Sequence, residues 1–583
     1  MATINRKFYH GEKGLEYKDS LEEHMLAILK EHPDDLEEYL SIGEERFIIG
    51  DMSRLRENLL SWYPFKKNAS CLEIGAGVGA LTGFLAGRMN SVTSIEMTES
   101  RANVIAARNR ERDNVEIVLA NLDDVEFDEP FDYVVVVGVM EYARRFIQAE
   151  HASVRFMEKA KSFLKKDGII LLAIENRLGL RYFAGAGEEH TKRQFLGLNS
   201  YDTYDYVRTF SRSELESILD RSGFSDWSFF YPFPDYGMPS EIHSDASLEL
   251  LPYAHKHYNP TLQRYRFFDE TRLFRTFQKE GIAANFAHHF LVEIFNGKPS
   301  DHHILYAHAP LESGEKDFLV TSLVKRDGKL FLEKREVYKN GKVHQLYEAY
   351  QKLIERGEYA LRYNPLSLET DARGDAVLIQ SYSEGKTLRE ELLEAMDRVL
   401  ECNDDHLPAR IAACLDIFSA LAHMWRTNAV QCGNYGNEEF VSLFGKSETP
   451  PLACAEGSAL ALSAGDFQKS GDGSYTVVGY EHIALCAVPV DFLLYDFITT
   501  WYKETVEGYH NAEKLIAPEA ILKAADISEE HIELYKAWQN HLYAGLHSNH
   551  VMEHMACPVY EPAFLHVDDV KAYAADSVST LLV

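Results

Sequence analysis

Positive charge is what this chain is short of. Its 583 residues carry 60 Lys and Arg against 91 Asp and Glu, a formal net charge of -31 at pH 7. Such a surface repels phosphate backbones, which argues against nucleic acid as a substrate, although a local basic cleft stays open. Cysteine is scarce as well. Seven cysteines, odd in number and without a C-x-x-C pair, supply no disulfide framework, and a reducing cytoplasm fits. The segment Met1 to His10 lacks a signal-peptide core, and no run approaches transmembrane length. Any membrane link is therefore expected through partners or substrate. What the chain has in plenty is length and apolar residues. At 583 residues and 46% hydrophobic it exceeds one core, so two or more domains are expected.

The most informative stretch is Cys71-Leu72-Glu73-Ile74-Gly75-Ala76-Gly77-Val78-Gly79. A strand-like start runs into a turn where glycines at alternate positions admit a sharp bend and a close ligand. Glu73 sits where a carboxylate orders the loop or holds a cationic ligand. Ser91 to Glu96 reads as a second strand ending in an acid, placed to accept ribose hydroxyls. Val115 to Leu119 is a third strand, followed by Asn121-Leu122-Asp123. Phe131 to Val137 is a fourth, continuously apolar as a doubly covered parallel strand should be. It leads into Gly138-Val139-Met140-Glu141-Tyr142, and Gly168 to Ile174 is the fifth strand.

A lone glycine turn also fits dinucleotide-binding folds and purely structural turns. The spacing Glu-x-Gly-x-Gly-x-Gly, with the strands after it, resembles class I S-adenosylmethionine (SAM) methyltransferases. The resemblance implies SAM as cofactor, held by Glu73, Gly75, Ala76, Gly77, Gly79, Glu96, Met97, Asn121, Leu122, Asp123, Gly138 and Val139. It also implies an α/β, Rossmann-like domain with a seven-stranded sheet.

Downstream, Glu175, Asn176 and Tyr182 leave strand five on the rim where α/β enzymes place substrate groups. His190 follows. An unperturbed imidazole there deprotonates a hydroxyl, or it is a solvated bystander. Glu175, Asn176 and His190 are the candidate catalytic residues. Ser211 and Glu214 predict a capping box opening a helix that ends at Gly223. Asp226 to Tyr231 is the sixth strand, and His288 to Phe295 is the candidate for the antiparallel seventh. Residues 235-284 are then an insertion before the last strand, rich in aromatic and basic residues as in Gln263 to Phe268, either a sugar- or phosphate-binding cleft or a packed lid. The pairs His288-His289 and His302-His303 each offer one ligand per strand face, so no metal is expected.

Arg56 to Leu60, the Glu73 turn, Gly138 to Ala143, Glu175-Asn176 through His190, and Tyr231 to Tyr236 together resemble bacterial methyltransferases of surface-polysaccharide assembly. The resemblance covers residues 40 to 295. It implies a glycan-linked oxygen or nucleotide sugar as acceptor and glycosyltransferases as partners. In the helix before the first strand, Arg54 or Arg56 is placed to touch a substrate acid or to be an ordinary surface arginine.

Asn296 to Pro299 is a breaker cluster and a candidate boundary. Beyond it, a hairpin around Arg326-Asp327-Gly328, a helix from His344 and a strand Ala376 to Tyr382 resemble the small lobe and hinge of kinase-like phosphotransferases. Lys334 and Glu348 would form the ion pair that orients nucleotide phosphates. The catalytic half is poor: Gly479 stands where related proteins carry an acid, and only Asp466 or Glu481 remain as substitutes. The expected organisation is a helical segment 1-68, a methyltransferase domain 69-297, an α+β kinase-like and degenerate domain 298-550, and a tail 551-583. Four functions stay open: a glycan O-methyltransferase, a bifunctional methyltransferase–kinase capping a glycan chain, a non-catalytic SAM-binding assembly factor, and a small-molecule methyltransferase outside glycan pathways.

Overall fold

The computed structural model describes the chain except residues 12–19, 43–44, 202–206, 252–263, 266–267, 269, 357–360, 372, 383–384, 402–404, 433–434, 448, 507–511, 548, 550, 552–558 and 561–583. The strands that matter here are, in chain order, β1 (Thr3–Asn5), β2 (Ser70–Ile74), β3 (Ser91–Glu96), β4 (Val115–Leu119), β5 (Phe131–Val137), β6 (Leu164–Glu175), β7 (Asp226–Phe233) and β8 (Glu241–Ser244). They continue with β9 (Arg264–Tyr265), β10 (His289–Phe295), β11 (Ile304–His308), β12 (Leu319–Arg326), β13 (Lys329–Glu336), β14 (Arg362–Tyr363), β15 (Ser367–Thr370) and β16 (Ala376–Tyr382).

Within one large sheet, seven strands run in the order β4-β3-β2-β5-β6-β10-β7. β10 is antiparallel to both its neighbours, so it is the seventh strand predicted from His288 to Phe295. β2 to β6 pair in parallel and are buried almost throughout, which is why β5 and the second half of β6 are so rich in apolar residues. Helices cover them. Ser211 accepts from the Glu214 amide and Glu214 accepts from the Ser211 amide, forming the expected capping box at the head of the Arg212–Arg221 helix.

Three features depart from the sequence reading. The N-terminal segment is not helical throughout: β1 adds to the sheet edge beside β4, with Ile4 opposite Ile117. Helix in that segment is interrupted as well: Ser20–Glu31 and Leu36–Ile42 are separate helices with Pro33 between them. The sheet also does not end near residues 296–299. β8, from the insertion, pairs antiparallel with β7 on one side and with β11 on the other, and the sheet continues through β12, β13, β16 and β15. Among the described residues it counts fourteen strands. An uncovered β7 would present unpaired backbone groups, and β8 satisfies them while offering its other edge to β11.

The insertion also reaches the C-terminal half through charge. Arg275 pairs with Asp397 at 2.6 Å and Arg272 with Glu401 at 3.2 Å, both acids lying at the end of the Leu388–Leu400 helix. Of the aromatic and basic run 263–268, Gln263, Arg266 and Phe267 lie outside the described residues, and β9 pairs with Val559–Tyr560. The Leu407–Arg426 helix is long and apolar enough by length and composition to cross a membrane, contrary to the expectation from the sequence. Here it turns Cys414, Phe418, Leu421, Ala422 and Trp425 into the C-terminal core and exposes small and polar residues such as Ala412, Asp416 and His423.

Candidate active site

The C-terminal ends of β2, β3, β4 and β5 lie side by side, and the residues expected to hold SAM follow them. Gly75, Gly77 and Gly79 have φ of +69°, +57° and +75°, conformations that side chains other than glycine rarely adopt. A Cβ on Gly75 would lie 2.5 Å from Val139 Cγ2, so the turn after β2 passes tightly under the turn after β5. A Cβ on Gly77 would meet nothing within 4 Å, so this part of the loop borders open space.

Glu73 faces inward. It accepts hydrogen bonds from Thr82 Oγ1 at 2.6 Å and Ser94 Oγ at 2.7 Å, and burial pushes its pKa up to about 7. Its role in this geometry is to order the loop. Glu96 accepts from the amides of Met97 and Thr98 through one oxygen and from Gly77 through the other, at 2.8, 3.0 and 3.0 Å. It thereby ties the β3 end to the glycine turn. Asn121 caps the short 3-10 turn after β4 by accepting from the Asp123 amide, leaving Asp123 exposed and Leu122 buried. These residues fit a nucleoside cofactor: a tight glycine turn, open space above Gly77, and acids at two adjacent strand ends.

Next to this cradle, at the end of β6, lies a cluster of buried charge. Glu175 is 1% exposed, and its Oε1 accepts from the Tyr236 hydroxyl at 2.8 Å. Burial first, and the neighbouring Glu141 second, push its pKa up to about 8. His190 lies between two acids, with Nδ1 3.0 Å from Glu188 Oε1 and Nε2 3.7 Å from Glu141 Oε1. Burial opposes its charge, but Glu141 and Glu188 outweigh burial and lift its pKa to about 11. At neutral pH His190 is therefore an imidazolium, with no free lone pair to take a proton. Behind Glu175, Arg181 pairs with Glu189 and donates to His289 Nε2 at 2.9 Å. Burial and the Arg181 charge hold the His289 pKa below its ordinary value.

Asn176 is differently placed. Its Nδ2 donates to the carbonyls of Asn285 and Ala287, and its Oδ1 accepts from the Leu178 amide. Fully buried and occupied, it pins the segment after β6 to the β10 approach. The structure thus brings Glu175 and His190 together and sets Asn176 behind them. Glu141, Glu188, Tyr236, Arg181 and His289 complete the cluster, and sequence reasoning assigned none of them a catalytic role. Glu141, Arg181, Glu188 and Tyr236 stand in the segments carrying the family resemblance, which was the available signal; His289 does not. Arg54 pairs with Glu315 at 2.8 Å, a structural contact, whereas Arg56 approaches the Asp235–Gly237 turn.

In the C-terminal half the expected Lys334–Glu348 pair is not formed. Lys334, 2% exposed, pairs with Glu481 at 2.6 Å and donates to Thr321 Oγ1 at 2.9 Å. Glu348 points to solvent. Asp466 accepts from the Ser463 amide and hydroxyl and packs against Gly479, where a Cβ would lie 2.6 Å from its Oδ1.

Residues 44–228, about a third of the chain, match a family model described as a methyltransferase domain. Over 111 residues the chain is 27% identical to (S)-coclaurine N-methyltransferase of Thalictrum flavum subsp. glaucum, covering 18% of this chain and 29% of that protein. The chain thus spans under a third of the length of this curated relative. Among solved structures, phosphoethanolamine N-methyltransferase 1 of Haemonchus contortus aligns at 16% identity and a TM-score of 0.27, over 48% of this chain and 50% of that one. N-methyltransferase NodS of Bradyrhizobium japonicum WM9 in complex with S-adenosylhomocysteine aligns at 19% identity and a TM-score of 0.20, over 27% and 73%. The chain carries a SAM-dependent methyltransferase domain within residues 44–228, and its cofactor is S-adenosylmethionine.

Proposed function

We propose that this chain methylates an oxygen of a sugar or glycan-linked acceptor in bacterial surface-polysaccharide biosynthesis. One observation carries the reading. The separate segments that bear the resemblance to that group meet at one place: Tyr236 on Glu175, His190 beside Glu141, and Arg56 against the turn at Gly237. SAM supplies an electrophilic methyl group on sulfonium sulfur. An acceptor oxygen held toward that methyl would form the new carbon–oxygen bond as the sulfur–carbon bond breaks with its electron pair left on sulfur, and the hydroxyl proton would pass to the Glu141 carboxylate, since Glu175, pushed up to about 8, already holds a proton at neutral pH. Much of the rate then comes from positioning. Acceptor chemistry suits the rim, since buried carboxylates of Glu141 and Glu175 are hydrogen-bond acceptors for sugar hydroxyls.

The C-terminal half reads as a kinase-like domain that has lost catalysis. Glu481 is engaged by Lys334, Asp466 by Ser463, and Gly479 has no side chain for a magnesium ion. In this reading the protein works in the cytoplasm, beside glycosyltransferases of the same pathway.

The test is calorimetric titration with S-adenosylhomocysteine and then ATP with magnesium, followed by transfer of labelled methyl from SAM to polysaccharide intermediates. Binding of S-adenosylhomocysteine, no ATP heat and label on glycan oxygen are the expected results. Absence of S-adenosylhomocysteine binding, or label only on amines, overturns the reading. ATP binding favours the bifunctional capping enzyme.

A further inference from the structure

We propose that Glu141, Glu175 and His190 bind one divalent first-row cation at the methyl-transfer site, and that this ion holds the acceptor oxygen. The role of the ion rests on the methyl-transfer reading above; the site itself rests on geometry. One ligand atom from each of the three residues lies within 4.8 Å of the others. Bonds of about 2.0–2.2 Å set such atoms roughly 3 Å apart, so a small inward turn of the side chains completes the set.

The orphaned oxygens point the same way. Glu141 and Glu175 are 2% and 1% exposed, and Oε2 of each is buried with no hydrogen-bond partner. A buried carboxylate oxygen without a donor is costly, and a cation removes that cost. The surroundings are built as the outer layer of a metal site is built. His190 Nδ1 is tied to Glu188, which leaves Nε2 as the nitrogen facing Glu141, and the cation takes the place of the Nε2 proton, which is released to solvent. Glu188 is itself fixed by the amides of His190 and Thr191 and by Thr191 Oγ1, at 3.0, 2.7 and 2.9 Å. Glu175 is oriented from its other oxygen by Tyr236.

A second group, Glu175, Glu189 and His289, also has one ligand atom from each residue within 4.8 Å of the others. It is the poorer site, because the Arg181 guanidinium already occupies His289 Nε2 and pairs with Glu189. Two carboxylates and one imidazole suit Mn2+, Fe2+ or Zn2+ rather than a soft thiolate-seeking metal. Three protein ligands leave coordination positions for an acceptor hydroxyl. A cation there lowers that hydroxyl's hold on its proton, so a weak base suffices to remove it.

The experiment is titration of the chelator-treated full chain with Mn2+, following free Mn2+ by electron paramagnetic resonance. One site per chain is expected. Glu175→Gln and His190→Ala should each weaken it at least tenfold, and Glu348→Gln, remote and exposed, should leave it unchanged. S-adenosylhomocysteine titration of the same samples reads the fold and the cofactor cradle separately. No Mn2+ site in the intact chain, or one equally tight in Glu175→Gln and His190→Ala, overturns the proposal while S-adenosylhomocysteine binding keeps the methyltransferase reading intact. A Mn2+ site lost in both variants while they still bind S-adenosylhomocysteine supports the proposal.

Discussion

The Tyr236 hydroxyl donates to Glu175 Oε1 at 2.8 Å, joining the turn that opens the insertion to the end of β6. The same hydroxyl lies where a Cβ on Gly138 would come within 2.8 Å, so it also borders the turn after β5. One side chain thus touches both the cofactor side and the acceptor side of the rim.

Tyr236→Phe removes that donor and keeps the ring. A lost hydrogen bond to a buried acceptor costs about 1–3 kcal/mol. Turnover should fall roughly tenfold or more by the usual conversion. S-adenosylhomocysteine affinity should stay within about twofold, since no residue of the glycine turn is touched. Steady-state kinetics beside calorimetry separates the two; an equal loss in both would mean that Tyr236 serves the cradle as a whole.

Gly75→Ala and Gly77→Ala should differ although both start from left-handed backbone. Each bears the cost of a side chain at positive φ, of order 1–3 kcal/mol. Only at Gly75 does the new Cβ run into Val139, at 2.5 Å. Gly75→Ala should therefore lower the melting temperature more than Gly77→Ala, and Gly75→Arg should abolish S-adenosylhomocysteine binding. Equal melting temperatures for the two alanine variants would contradict the close passage of the two turns.

Glu481 is held at about 2 against an ordinary value of 4.5: burial opposes its ionisation, and the Lys334 charge more than compensates. A depressed carboxylate contributes stability that is fully present above its unfolded pKa and lost as pH falls through the folded one. That contribution is of order 3 kcal/mol above pH 4.5 and fades between pH 4.5 and 2. Lys334→Met leaves the Glu481 carboxylate without its cation and should cost about 3–5 kcal/mol at pH 7. Chemical denaturation across that pH range reads both, and Glu348→Gln should match the parent chain.

Asp496 behaves in the opposite sense. Burial pushes its pKa up to about 6, against hydrogen bonds from Gln539 and Tyr543. Ionising it is therefore a cost that appears as pH rises from about 4 to 6 and stays constant above. Asp496→Asn keeps an acceptor for Gln539 Nε2, now 2.7 Å from Oδ1, and carries no charge. It should stabilise the C-terminal half by about 1–3 kcal/mol at pH 7 and by little at pH 4. A destabilised variant at pH 7 would show that the carboxylate is needed where it is.

Local structure was legible where short-range chemistry sets it. The run Phe131 to Val137 is a strand because both its faces are covered, and Ser211 with Glu214 caps a helix three residues apart in sequence. The glycine turn was legible because its φ values leave few residues to choose from. β8 was not: Glu241-Ile242-His243-Ser244 has weak strand character, and the open edges of β7 and β11 make it a strand. The partner of Lys334 is not legible in the sequence for a related reason. Glu348 has the spacing expected of an ion-pairing helix, but its side chain faces water, while Glu481 arrives from 147 residues away. At the rim, Glu175 and His190 could be singled out as polar groups after a strand. Their electrostatics could not, since these depend on Glu141 and Glu188 arriving from elsewhere in the chain or loop.

The β7–β8–β11 junction has a practical meaning for anyone dissecting this protein. His243, Ile242 and Glu241 of β8 lie opposite Tyr306, Ala307 and His308 of β11. Cutting the chain after residue 298 would strip that row of its partners and leave a bare edge, a template for self-association. The two halves are stitched through backbone hydrogen bonds, so the smallest piece expected to remain monodisperse extends past β16.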